Sequence, residues 1–129
     1  MTSSSKPATT VRLAGDAEYT AFFGKPPPPI WTGMCAIREG RVVAFGAVAW
    51  DLEGYLPRGC FDAKEKVSPF VMHKAALKMI DALRQAGEEV LYVGCEDRPE
   101  AIKWVKRLGF EPPLPGGTAW SLMLNGVRE

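Results

Sequence analysis

Apolar residues recur along this chain with two periods. Between Ser68 and Gly87 they fall at Met72, Ala76, Met79, Ile80 and Leu83, three and four residues apart, as on one face of a helix. Ser68-Pro69 supplies the start, a side chain able to cap and a proline set for the first turn, and Gly87 the stop. A second helix is predicted from Asp97 or Arg98, with Pro99 in its first turn, Ala101, Trp104, Val105 and Leu108 inward, and Gly109 at its end. A third, shorter one runs from an Asp16 cap through Tyr19, Phe22 and Phe23 to Gly24. Elsewhere the pattern is that of strands. Trp31–Arg38 and Arg41–Trp50 flank Glu39-Gly40, a pair suited to a tight hairpin turn. Val11–Leu13 and Gly59–Ala63 are short strands. Val90–Val93 is an apolar run suited to a sheet interior, and Thr118–Asn125 puts Trp120, Leu122 and Leu124 on one face. The segments between are loops: Asp51–Arg58, the polyproline stretch Pro26–Pro29, which acts as a stiff spacer, and Glu111–Gly117.

The fold class is therefore mixed α/β (α+β): a central mixed sheet flanked by helices. Residues 1–10 are rich in Ser and Thr and are expected to form a flexible arm, which leaves 11–129 as a single domain. The composition, 47% hydrophobic and 24% charged over 129 residues, suffices for one ordinary core. A net charge of +1 provides no field to gather nucleic acid or an anionic membrane, so neither is an expected partner. The longest apolar stretch, Val42–Trp50, is too short to span a bilayer, and the start of the chain lacks the apolar segment of a secretory signal.

Cys35, Cys60 and Cys95 form an odd, scattered set without a Cys-x-x-Cys pair. They are expected to be small buried thiols in a reducing compartment, with no metal site. His73, the lone histidine, is expected on the surface of the long helix or partly packed, without an orienting partner. Asp62, Lys64, Glu65 and Lys66 read as a solvated mixed-charge loop. Asp97 reads as a helix cap, and the four tryptophans as core or interface anchors.

The order of elements from Trp31 to Asn125, ending in the run AIKWVKRLGF, resembles the GNAT superfamily of N-acetyltransferases over about three quarters of the chain. The resemblance implies a GNAT-like single domain whose N-terminal part is shortened, one helix and a proline run standing where the family has two helices. It also implies an acetyl-CoA site at a glycine-rich turn of the form Gln/Arg-x-x-Gly-x-Gly/Ala before the long helix. The matching positions are Val67, Ser68, Pro69, Phe70, Val71 and Met72, without a glycine, so Ser68, Phe70, Val71 and Met72 make a degenerate cofactor turn in which Phe70 and Met72 are expected to crowd a phosphate. The tyrosine that in many relatives protonates the departing thiolate corresponds to Val105, which cannot. Glu96, after the strand Val90–Cys95, is the remaining candidate base, at the edge where an acceptor amine would sit.

Two readings follow from the resemblance. Loss of the turn, the acid and an N-terminal helix favours a non-catalytic module without cofactor. The chain is similar to short degenerate GNAT-like proteins of tailed bacteriophages and prophages, which implies a virion-associated structural role. Its partners would be other virion proteins or copies of itself, met through the arm, the prolines and exposed tryptophans, in the bacterial cytoplasm or a phage particle. The alternative is an acetyl-CoA-dependent N-acetyltransferase in which an amine attacks the thioester directly.

Overall fold

The computed structural model describes residues 8–51, 53 and 56–124. In chain order the elements are β1 (Thr9–Leu13), α1 (Asp16–Phe23), β2 (Trp31–Arg38), β3 (Arg41–Trp50), β4 (Pro57–Ala63), α2 (Pro69–Gln85), β5 (Val90–Gly94), α3 (Pro99–Leu108) and β6 (Ala119–Met123). The strands lie side by side in sequence order in one six-stranded sheet. Every pairing is antiparallel except that of β4 with β5, which α2 connects as a crossover. The mixed α/β architecture expected from the sequence is thus the one observed.

The hairpin β2–β3 turns at Glu39 and Gly40, both left-handed, with φ of 53° and 79°. Two consecutive positive φ values match the right-handed twist of the flanking strands, and glycine adopts the second without cost. The pleat divides the sheet into two faces. Cys35, Phe45 and Ala47 pack under Tyr19 and Phe22 of α1. On the opposite face Val48 and Leu91 meet Ile80 and Leu83 of α2 and join Val105 of α3, Phe110, Trp120 and Leu124 in the main core. Toward the start of α2, Val71 and Met72 lie against Val67, Ala36 and Ala44.

Several boundaries differ from the sequence expectation. Thr9 and Thr10, placed in the arm, belong to β1, where they pair with Arg38 and Ile37; residues 1–7 and Asn125 lie outside the described set. β4 begins at Pro57, whose buried ring stands opposite Trp50 at the end of the ladder, where a missing N–H is tolerated. α1 is capped at Gly15, not Asp16. The Gly15 N–H donates to Glu18 Oε1 at 2.7 Å, and Arg12 donates to Oε2 of the same carboxylate at 2.8 Å. Those two bonds hold the Glu18 carboxyl below its ordinary value, the backbone bond foremost. Asp16, freed from capping, accepts from the Trp31 indole at 3.0 Å. α3 likewise starts from Arg98, and Asp97 makes no cap.

Asp62, Lys64 and Lys66 are exposed, as expected of a mixed-charge segment, but two of its charged side chains are also tied to other elements. Lys64 reaches the C-terminal end of α1, donating to the Phe22 carbonyl at 2.6 Å with its ammonium 4.6 Å from the Phe22 ring centroid. Glu65 takes both prongs of Arg41, at 3.0 and 2.8 Å, which lowers its carboxyl. Arg38 donates to the Lys66 carbonyl at 2.9 Å. These bonds tether the entrance of α2 to the β2–β3 hairpin and to α1, and so fix where that helix begins.

Candidate functional site

β4 and β5 run in the same direction, yet pair only through Arg58 with Tyr92 and Gly59 with Val93. At that point the strands are close: a Cβ on Gly59 would stand 3.0 Å from Val93 Cγ1. Beyond it Cys60–Ala63 stay with β3 while Gly94 follows β6, so the strands diverge and the sheet splits into a wedge. The inner edge of β4 past Gly59 lacks a ladder partner among the described residues. The space around Gly94 is open, with nothing within 4 Å of a Cβ built there. A cleft outside the carboxyl ends of parallel strands is the usual ligand position in sheets of this kind.

The wedge opens into a cavity of about 910 Å³, large enough for an organic ligand. Its charged lining comes from the β5–α3 side, with Glu96, Arg98, Glu100, Lys103 and Arg107, and from Asp62 of β4; most of the remaining wall is apolar. The start of α2 reaches it through Pro69, Val71 and Met72. The first backbone bond of α2 is Met72 N–H to Ser68 C=O at 3.1 Å. The Ser68 hydroxyl makes no capping bond, and Pro69 has no N–H. The Phe70 and Val71 amides are therefore left as helix-end donors at the positive end of the helix.

The expected cofactor turn divides. Val71 and Met72 line the cavity, whereas Ser68 and Phe70 do not. Phe70 is 73% exposed and lies beneath Lys74, whose ammonium is 5.8 Å from the ring centroid. Its ring is thus on the surface and outside the cavity lining, whereas Met72, the other side chain expected to crowd a phosphate, lines the cavity.

Glu96 lies at the rim, exposed, and Arg98 Nε donates to its Oε1 at 2.7 Å. One of its oxygens is therefore occupied and the other is free to take a proton. Val105 is buried at 8% exposure, on the inner wall, and has no proton to give.

One contact went unread in the sequence. The Trp104 indole N–H donates to His73 Nδ1 at 3.2 Å, tying α3 to α2. The contact occupies Nδ1 as an acceptor and leaves Nε2 as the ring nitrogen without that bond. Phe61 of β4 packs edge-on against Trp104, centroids 5.4 Å apart. The signal was a lone histidine on one helix and a tryptophan on the next, but nothing in either periodicity says that the two faces meet.

Of the cysteines only Cys35 is buried; Cys60 is exposed and Cys95 half-buried, both at the cavity, against the expectation of three buried thiols. Desolvation is the largest cause raising each thiol above its ordinary value, so none is a ready nucleophile at neutral pH. Trp120 is buried and Trp31, Trp50 and Trp104 are half-buried, in keeping with core or interface anchors. Among the described residues no three His, Cys, Asp or Glu side chains are placed to hold a metal, and no helix is long and apolar enough to cross a membrane.

No protein-family model matches this sequence, and no curated protein matches it. Solved structures do. An N-acetyltransferase from Staphylococcus aureus Mu50 superposes with a TM-score of 0.71 at 11% identity, covering 92% of this chain and 99% of that one. The ribosomal-protein-S18-alanine N-acetyltransferase of Escherichia coli gives 0.65 at 14% identity, with 95% and 97% covered. A GNAT family N-acetyltransferase from Escherichia coli, solved in complex with CoA, gives 0.62 at 15% identity, with 98% and 90% covered. The chain has the GNAT fold.

Proposed function

We propose that this protein binds acetyl-CoA in the wedge between β4 and β5 and transfers the acetyl group to an amine by direct attack on the thioester. The observation that carries this reading is the open wedge beside an uncapped α2, with Phe70 turned away from it. The residues present suit the donor. The Phe70 and Val71 amides face an anion at a positive helix end and would take the diphosphate. The free edge of β4 past Gly59 can pair with an extended chain of amides, as a strand does, and would hold the pantetheine arm. Backbone N–H groups of β4 would then polarise the thioester carbonyl, and the free oxygen of Glu96 would receive the proton lost by the amine. Bound acetyl-CoA supplies the activated acyl group. No side chain stands at Val105 to protonate the leaving sulfur, so it departs as a thiolate, acceptable for a thiol of pKa about 8.5. Turnover is correspondingly slow, by the factor of about 10²–10⁴ that a general acid contributes.

A second reading rests on that same missing donor. The chain would then be a non-catalytic interaction protein of a phage or prophage particle, bound to virion proteins or to itself. The exposed Phe70 and Leu77, one above the other on α2, supply contact surface for it.

Calorimetric titration separates the two. CoA and acetyl-CoA are expected to bind with micromolar affinity, and Gly94→Phe to weaken both by at least about ten-fold. Melting of that variant should stay within about 0.5 kcal/mol, because its side chain enters open space. No heat with either compound, together with elution as a defined oligomer, would sink the transferase reading in favour of the second.

A further inference from the structure

Building on the donor site just proposed, we infer that Phe70 and Lys74 form its outer subsite, an aromatic platform for the adenine ring of CoA with a cation for its 3′-phosphate. CoA is a diphosphate with a pantetheine arm on one side and a 3′-phosphorylated adenosine on the other. The wedge takes only the arm. With the diphosphate at the Phe70 and Val71 amides and the arm along β4, the adenosine would leave away from the cavity, over the outer surface of the first turns of α2. Val71 and Met72 form the cavity side of that turn, whereas Phe70 is outside the lining and 73% exposed. Helix side chains lean toward the helix start, so the Phe70 ring covers the surface of the first turn, where the amides lack helical partners.

A single exposed apolar side chain is ordinary and carries no argument by itself. This one is paired with a cation: the Lys74 ammonium lies 5.8 Å from its ring centroid. The two residues are four apart in sequence, so they share one face of α2, about 6 Å apart along its axis. Lys74 takes part in no ion pair among the described residues. Other cations at the entrance of α2 are engaged by the fold, Arg38 and Arg41 by Glu65, and Lys64 by the Phe22 carbonyl. No acidic residue stands in the first turn of α2. The first one along the helix, Asp81, is about three turns beyond Phe70 and accepts from Gln85 at 2.8 Å.

An exposed ring beside an unpaired lysine, with no carboxylate near, matches a base that carries a phosphate. Stacking needs no pocket, because every base has a π-face, and lysine meets a phosphate as a point charge. Recognition of the donor then divides in two. Backbone amides hold the diphosphate and the arm, and two surface side chains select the nucleotide. The glycine missing from this turn is replaced by a contact that glycine could not make.

Titration of the wild-type protein with CoA and with 3′-dephospho-CoA tests the subsite, with the adenine H2 and H8 resonances followed by NMR. CoA should bind about five-fold more tightly, the effect of one charge pair at about 4 Å in water. Lys74→Met should remove that difference, and added salt should shrink it in the wild type. Phe70→Ala should weaken both ligands by at least about five-fold, the low end of base–aromatic stacking. It should also abolish the upfield shift that a stacked phenyl ring gives the adenine resonances. Leu77→Ala, which truncates another exposed apolar side chain of α2, is the control and should change neither affinity. All three variants alter exposed side chains, so melting should not move. Equal affinity for CoA and dephospho-CoA would overturn this subsite and leave the donor site standing. So would a Phe70→Ala variant that binds both as tightly as the wild type, or more tightly, since the ring would then crowd the nucleotide. No binding of either compound to the wild-type protein would overturn the donor site as well.

Discussion

Phe45→Ala is expected to lower the unfolding free energy by about 3–5 kcal/mol, the largest effect of any single truncation considered for this chain. Phe45 lies in the middle of β3 with 1% of its surface exposed. Its ring is met by Tyr19 at 5.6 Å, Phe22 at 5.6 Å, Phe23 at 5.2 Å and Trp31 at 6.0 Å between centroids. Burial of so large a side chain is worth roughly 1.5–3 kcal/mol, and the void left by truncation adds to the loss. The void cannot close easily, because β2 and β4 hold β3 in ladder register on both sides. Three of the four rings belong to α1 and the fourth to β2, so the variant should also loosen α1. Urea unfolding followed by tryptophan fluorescence reads the change, with Phe70→Ala as a control expected within about 0.5 kcal/mol. Equal losses in the two variants would mean that Phe45 is not the keystone of that face.

Ser68→Asp is expected to move stability and binding in opposite directions. A carboxylate at the uncapped start of α2 meets the positive helix end and can accept from the orphan amides. The unfolding free energy should rise by about 0.3–1 kcal/mol. The same carboxylate opposes a diphosphate. At about 4 Å in water each pair of unit charges costs roughly 1 kcal/mol, so two negative charges cost about 2 kcal/mol, or a thirty-fold loss of CoA affinity. The loss should shrink as salt is added. Unchanged affinity in a better-folded variant would place the diphosphate away from α2.

Elements with local causes were legible in the sequence. The β2–β3 hairpin was readable because Glu39-Gly40 fixes its turn, although the ladder shifts register between Ala36 and Ile37. α3 ended where expected because its last turn is followed by Gly109, whose φ of 104° few other residues adopt. What could not be read depended on distant partners. The bond of Lys64 was not legible because the Phe22 carbonyl it reaches lies 42 positions away. The bond between His73 and Trp104 joins two helices whose facing sides no periodicity specifies. Asp97 and Asp16 are good caps by type, but Gly15 and Arg98 occupy the extended positions where each helix begins. The degenerate turn was read correctly as lacking glycine. That the Phe70 side chain is 73% exposed was not legible, because a list of residue types does not give its direction. The wedge itself has no sequence signature: it consists of pairings that stop.

Those pairings also set an order of assembly. β1 to β4 form a meander whose contacts are close along the chain, while β5 is reached only through the whole of α2 and joins β4 at two residue pairs. Closing the longer loop carries the greater entropic cost. The meander should therefore gain amide protection in a refolding pulse before β5 and β6 do, and simultaneous protection would speak against it. An occupant stretched across the seam would act as a splint, coupling two halves that otherwise breathe separately.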